Sequence, residues 1–216
     1  MEINYIDIHT HHSYEPTDDT IFIRQAYMHP FIPEAKNYFV SKGLHPWFIE
    51  QNFDEDSFIK LISNPKVLAI GECGLDRLKP QFNLQKEVFI KQLNIANQLG
   101  KPMILHVVKA LDEIELLLKE SKVPIILHQY LGNEIQTNRL LANEQIYFSF
   151  GKNLNQPKTS KNLNQIPLNR IFLETDITSK NIQDVYLEFA NLRQLDLMNL
   201  KQILCSNFER VFGLIP

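Results

Sequence analysis

Cysteine is nearly absent: Cys73 and Cys205 are the only two in 216 residues, and they do not form a Cys-x-x-Cys pair. That excludes a disulfide scaffold and a thiolate metal site, and it fits a reducing compartment, so a cytoplasmic protein is expected. An excess of one charge is missing too. The 22 basic and 25 acidic residues leave a formal net charge of −3, so no global basic field draws in nucleic acid and any such contact must be local. No apolar run approaches a membrane span, and the first residues, with Glu2 and Asp7, lack a basic and apolar leader pattern, so no membrane association is expected. Repeats, low-complexity tracts and linkers are also lacking. With 44% hydrophobic residues, the chain is expected to form a single domain over 1–216 with a substantial core.

What is present begins with Asp7-Ile8-His9-Thr10-His11, preceded by the β-branched and aromatic run Ile3, Tyr5 and Ile6. This is expected to be a strand in which Asp7, His9 and His11 line one side and Ile6 and Ile8 the other. Two imidazoles set on a rigid strand can chelate one metal, although such a pair alone is more often structural. Further strands are expected at Ile21–Met28, Tyr38–Leu44, Val67–Glu72, Pro102–Leu105, Pro124–Leu127, Ile146–Phe150 and Arg170–Leu173. Helical spacing is expected at Asp54–Ile62, Phe82–Leu99, around Leu111–Leu118, Glu134–Leu141, Lys158–Leu163, Ile182–Leu192 and Leu197–Phe212. No helix fits between the first two strands. Eight strands mostly separated by helices predict a TIM-like (β/α)8 barrel with a trimmed first helix and an extra C-terminal helix. An open doubly wound sheet is the alternative, but no glycine-rich phosphate loop follows any strand.

The polar residues fall at one end of these strands. His9, His11, Glu72, His106, His128 and Asp176 each sit where an expected strand finishes, and in a barrel those ends converge on one mouth. Singly, each has a bland reading as a core histidine, a cap or a salt-bridge partner. Jointly they point to a metal centre, since charged groups at the edge of a core are costly to desolvate unless paired or metal-bound.

In order along the chain, Asp7-x-His9-x-His11, Gly43-x-His45-Pro46, Ile70-Gly71-Glu72-x-Gly74-Leu75-Asp76, His106, His128-x-Tyr130-x-Gly132 and Leu173-Glu174-Thr175-Asp176 resemble the TatD family of metal-dependent hydrolases. The resemblance implies two divalent ions, zinc, manganese or magnesium. His9, His11 and Asp176 would hold one ion, His106 and His128 the other, and Glu72 would bridge them. It also implies DNase activity, including trimming of 3′ ends. The expected substrate is thus a DNA end or a small phosphoester, with no obligate protein partner. Two such ions can activate water and neutralise charge on attacking and leaving oxygens. Glu72 and Asp176 are the expected catalytic carboxylates, Asp176 accepting the water's proton.

His45, Lys109 and Arg77 are the expected substrate contacts, with Lys79 and Lys152 as further cations near strand ends; His45 reads equally well as a turn histidine before Pro46. Val108 stands where the family usually has an arginine two residues after His106, so a forked guanidinium is replaced at best by the point charge of Lys109. The segment after Asp176 also lacks the proline-rich loop common in the family. Amide, lactone or other phosphoester hydrolysis, and a non-catalytic metal-binding protein, are the competing functions.

Overall fold

Eight short strands run side by side in chain order: β1 (Tyr5–Thr10), β2 (Thr20–Gln25), β3 (Tyr38–Lys42), β4 (Val67–Asp76), β5 (Met103–Val108), β6 (Ile125–Leu127), β7 (Ile146–Phe150) and β8 (Ile171–Leu173). Each pairs in parallel with the next. The ring closes where His11 N–H donates to the Asp176 carbonyl (3.0 Å) and Asp176 N–H to the His9 carbonyl (2.9 Å). The structure is a computed structural model that describes residues 4–13, 15, 17–49, 53–156 and 162–213.

Helices α1 (Glu55–Ile62), α2 (Phe82–Leu99), α3 (Leu111–Leu117), α4 (Glu134–Leu141), α5 (Ile182–Arg193) and α6 (Leu197–Phe212) follow the strands. Their starts have chemical causes: Asp54, Asn133, Asn181 and Asp196 side chains accept from first-turn N–H groups of α1, α4, α5 and α6. The expected helix at Lys158–Leu163 lies largely outside the described residues; Asn162 and Leu163 are helical. Among the described residues no helix joins β1 to β2 or β2 to β3. Lys42 substitutes for the second of these: its side chain is buried, and its ammonium donates to the carbonyls of His29 and Phe31 in the covering loop. Burial pushes this lysine's pKa down to about 8. No described helix is long and apolar enough to cross a membrane.

The barrel interior is filled in layers. Ile8, Ile23, Phe39, Ala69, Ile104, Ile126, Tyr147 and Phe172, one from each strand, form an apolar cluster that Phe208 and Val211 of α6 join. Asn207 of α6 donates to the carbonyls of Leu168 and Ile171 at the start of β8, so this helix stops the end where the strands begin. Two residues further along their strands, on the same face, come Gln25, Ser41, His106, His128, Ser149 and Glu174. An apolar floor therefore carries a polar layer facing the other end.

Two strands break the period, and both breaks correct the sequence reading. In β1 the pairing register shifts between Asp7 and Thr10, so Ile6 and Ile8 enter the inner cluster while His9 and His11 also turn to the barrel mouth. Asp7 does not join them. In β4 the shift lies between Gly71 and Cys73: Cys73 packs in the outer core with the helices and Glu72 points inward. β4 also continues to Asp76, so Glu72 lies inside the strand rather than at its end. Gly74 permits the close fit beside it, since a Cβ there would lie 2.1 Å from the His106 carbonyl oxygen. β2 stops at Gln25, not Met28, as the chain turns through Tyr27 at φ 46°.

Candidate metal centre

Glu72 occupies the middle of the mouth, 3% exposed, and its two carboxylate oxygens face different groups. Oε2 lies 3.5 Å from His9 Nε2 and 3.4 Å from His11 Nε2. Oε1 lies 2.8 Å from His106 Nδ1, 2.9 Å from His128 Nε2 and 3.2 Å from His45 Nε2. On the Oε2 side, Asp176 Oδ1 stands 3.5 Å from His11 Nε2 and 3.9 Å from His9 Nε2. The six residues expected as ligands thus come from β1, β4, β5 and the segments after β1, β6 and β8, and they meet around one carboxylate.

The donor set fits divalent ions. Both ring nitrogens of His9 are buried without a hydrogen-bond partner, a costly state for an imidazole unless a lone pair is taken by a metal. Potential ligand atoms of His9, His11 and Glu72 lie within 4.8 Å of one another, as do those of His9, His128 and Asp176. Imidazole with carboxylate, and no thiolate, suits zinc, manganese and related ions.

Neighbouring groups aim these rings. His128 Nδ1 faces Glu174 Oε1 at 3.2 Å, and His106 Nε2 faces Asp76 Oδ2 at 3.4 Å. A carboxylate accepting the proton on one ring nitrogen leaves the other nitrogen's lone pair for a metal. Asp76 Oδ2 in turn accepts from the Trp47 indole N–H at 2.7 Å. His45 is different. Its Nδ1 accepts from the Trp47 backbone N–H (3.1 Å), so in the neutral ring the proton is on Nε2 and points at Glu72. Although His45 Nε2 lies close to Glu72 and His106, it is a donor there rather than a ligand.

Charge follows geometry. Burial works to raise the Glu72 pKa, but the His128 charge and hydrogen bonds from His106, His11 and His128 outweigh it, holding the carboxyl well below its usual range. Burial of His128 is likewise overcome, by Glu72 and Glu174, and its pKa is raised. Asp176 is held low by His128, His9 and Lys152 against its own burial. Asp7 lies behind the site. It accepts from Thr175 N–H (3.0 Å) and Oγ1–H (2.6 Å), tying β1 to the segment after β8, and burial pushes its pKa up to about 7 despite those bonds.

A profile of the TatD-related DNase family matches residues 27–213, most of this barrel and four of the six gathered residues, Glu72, His106, His128 and Asp176, with His9 and His11 lying ahead of the matched span. The chain belongs to that family. A metal-dependent hydrolase of Buchnera aphidicola is 34% identical over 161 residues, covering 70% of this chain and 60% of the relative, so the chain spans less than two thirds of that protein's length. A metal-dependent hydrolase of Bacillus subtilis, YabD, is 30% identical over 206 residues, covering 84% of this chain and 80% of the relative. In fold, the chain superposes on the Escherichia coli TatD homolog YjjV with a TM-score of 0.85, covering 99% of this chain and 100% of that one at 22% identity.

Within this TatD-family site, the expected substrate contacts separate. His45 is at the centre. Arg77 is drawn away, its guanidinium paired with Glu113 and stacked 4.3 Å over the Phe82 ring. Lys109 has an exposed side chain, and its carbonyl accepts from Arg77 Nε. Lys79 lies 4.3 Å over the Trp47 ring, while Lys152 reaches Asp176. The sequence reading missed the roles of Glu174, Asp76 and Trp47. The first two stood inside quoted motifs, but only the fold shows which histidine each one faces.

Trp47 is the only tryptophan. Its ring lies 5.8 Å from that of His106, so its emission is expected to change as metal fills the site. Asp76→Asn should weaken metal binding about 10- to 100-fold, as loss of a ligand's supporting carboxylate commonly does. A fluorescence titration with manganese or zinc checks this, and an unshifted midpoint in the variant would remove Asp76 from the account.

Proposed function

We propose that this TatD-family hydrolase is a phosphodiesterase acting on DNA ends or small nucleotide-like esters with two divalent ions. The observation that carries the reading is the division of Glu72, one oxygen toward His9 and His11 and the other toward His106 and His128. His9, His11 and Asp176 would hold one ion, His106 and His128 the other, and Glu72 both. Such a pair supplies Lewis acidity, lowering the pKa of water and neutralising phosphate charge.

The chain's own residues do the rest. The Asp176 carboxylate, ionised at neutral pH, accepts the attacking water's proton. His45 Nε2–H, its tautomer set by the Trp47 N–H on Nδ1, faces Glu72 Oε1 at 3.2 Å and is suited to shift its hydrogen bond to a non-bridging phosphate oxygen. Glu174 and Asp76 keep the His128 and His106 rings turned toward the reaction. Both cysteines are free, in keeping with the proposed cytoplasmic location.

The test is a panel of phosphodiester, phosphomonoester, lactone and amide substrates assayed with added zinc, manganese and magnesium. Phosphodiester turnover should dominate. With a net charge of −3 only local cations can hold a DNA backbone. Activity should therefore favour single-stranded ends over duplex interiors and fall steeply with salt. Preferential lactone or amide turnover, or efficient nicking of closed circular duplex at physiological salt, would overturn the proposal.

A further inference from the structure

We propose that Lys152 is the anion contact of this site, placing the charged group of the substrate on the β7–β8 side of the mouth beside Asp176. The inference rests on the metal-dependent reading above and adds a specificity-determining residue to it. Lys152 Nζ lies 2.9 Å from Asp176 Oδ2, while Oδ1 of the same carboxylate faces His9 and His11. One carboxylate thus stands between the metal side and a cation. The lysine side chain is 39% exposed, so its ammonium is reachable from solvent where a substrate would enter.

Its position is set by the backbone. At Gly151 a Cβ would lie 2.3 Å from the Glu174 carbonyl oxygen and 2.8 Å from Gln129 Nε2. The chain leaving β7 therefore presses directly against the segment after β8 and delivers Lys152 over Asp176.

Charge balance gives this cation its purpose. Among the described residues, Glu72, Asp76, Glu174 and Asp176 are the carboxylates that face ring nitrogens of the clustered histidines, and their four negative charges would balance two divalent ions. An arriving phosphodiester then needs one further positive group. Val108 cannot supply it, and Arg77 is engaged by Glu113. Among the described residues, Lys152 is the one lysine or arginine whose charged atom pairs with a clustered ligand. An ammonium has three donors, so it can keep its bond to Oδ2 and still meet a phosphate oxygen.

The experiment compares wild type, Lys152→Met and Lys152→Arg, all loaded with manganese. Inorganic phosphate binding is measured by calorimetry, and steady-state kinetics are run on a short single-stranded oligonucleotide. Lys152→Met is expected to weaken phosphate about tenfold or more, the scale of one charged hydrogen bond. It should raise KM similarly with kcat little changed, and leave manganese stoichiometry and the melting midpoint as in wild type. Lys152→Arg should restore most of the affinity. Unchanged phosphate affinity in the Met variant, or loss confined to manganese binding, would overturn the proposal. Phosphate binding that depends on Lys152 without hydrolysis of any phosphodiester would support the anion contact while overturning the proposed reaction.

Discussion

Glu72→Gln is expected to weaken both metal sites together. Among the described residues, this carboxylate is the one group whose two oxygens face both histidine sets, His9 with His11 and His106 with His128. A glutamine keeps one carbonyl oxygen but offers an amide to the other set, and an amide nitrogen is a donor that cannot hold a cation. Loss of a supporting group alone commonly costs about 10- to 100-fold in metal affinity, so removal of this central ligand should cost at least about a hundredfold at each site. Calorimetry and elemental analysis of dialysed protein read this directly. A variant that keeps one site at wild-type affinity would reduce Glu72 to an ordinary ligand of a single ion.

The second large effect is expected at Asp176. Asp176→Asn preserves size and one oxygen facing His9 and His11, so the barrel should keep its melting midpoint within a few degrees. What is lost is negative charge and the ability to take a proton. General-base assistance is worth about 10²–10⁴-fold, so kcat should fall at least about a hundredfold even at saturating manganese. A purely structural aspartate would give the reverse, a less stable protein whose folded fraction still turns over. A manganese titration of kcat beside a melting curve separates the two, and near-normal kcat at saturation would end the general-base assignment.

The barrel was legible because alternation is a local property. Val67 to Gly71, Pro124 to Leu127 and Ile171 to Leu173 are short apolar runs between helical patterns, and β-α repetition in one chain allows few architectures. The candidate ligands were legible as a set for the same reason, since His106 and His128 each follow such a run. The register shifts beside His9 and Glu72 were not. Nothing in Ile8-His9 or Glu72-Cys73 announces that strict alternation fails there, because the shift is fixed by pairing with β2 and β5.

Partner choice was equally hidden. Arg77 looked like a phosphate contact until α3 brought Glu113 beside it, and Trp47 carried no signal until β4 brought Asp76 within 2.7 Å of its indole nitrogen. These pairs join segments some 30 residues apart, where spacing along the chain says nothing about distance in space. Lys42 shows the same limit in the scaffold: a lysine at the end of a strand reads as solvated, yet here it is buried under the loop that takes the place of a helix.

The most direct test of the two-ion account is the metal content of the wild-type chain. Purified protein stripped of metal, titrated with manganese or zinc and followed by calorimetry with elemental analysis of the saturated sample, is predicted to take up two divalent ions per chain. Saturation at one ion per chain would contradict it.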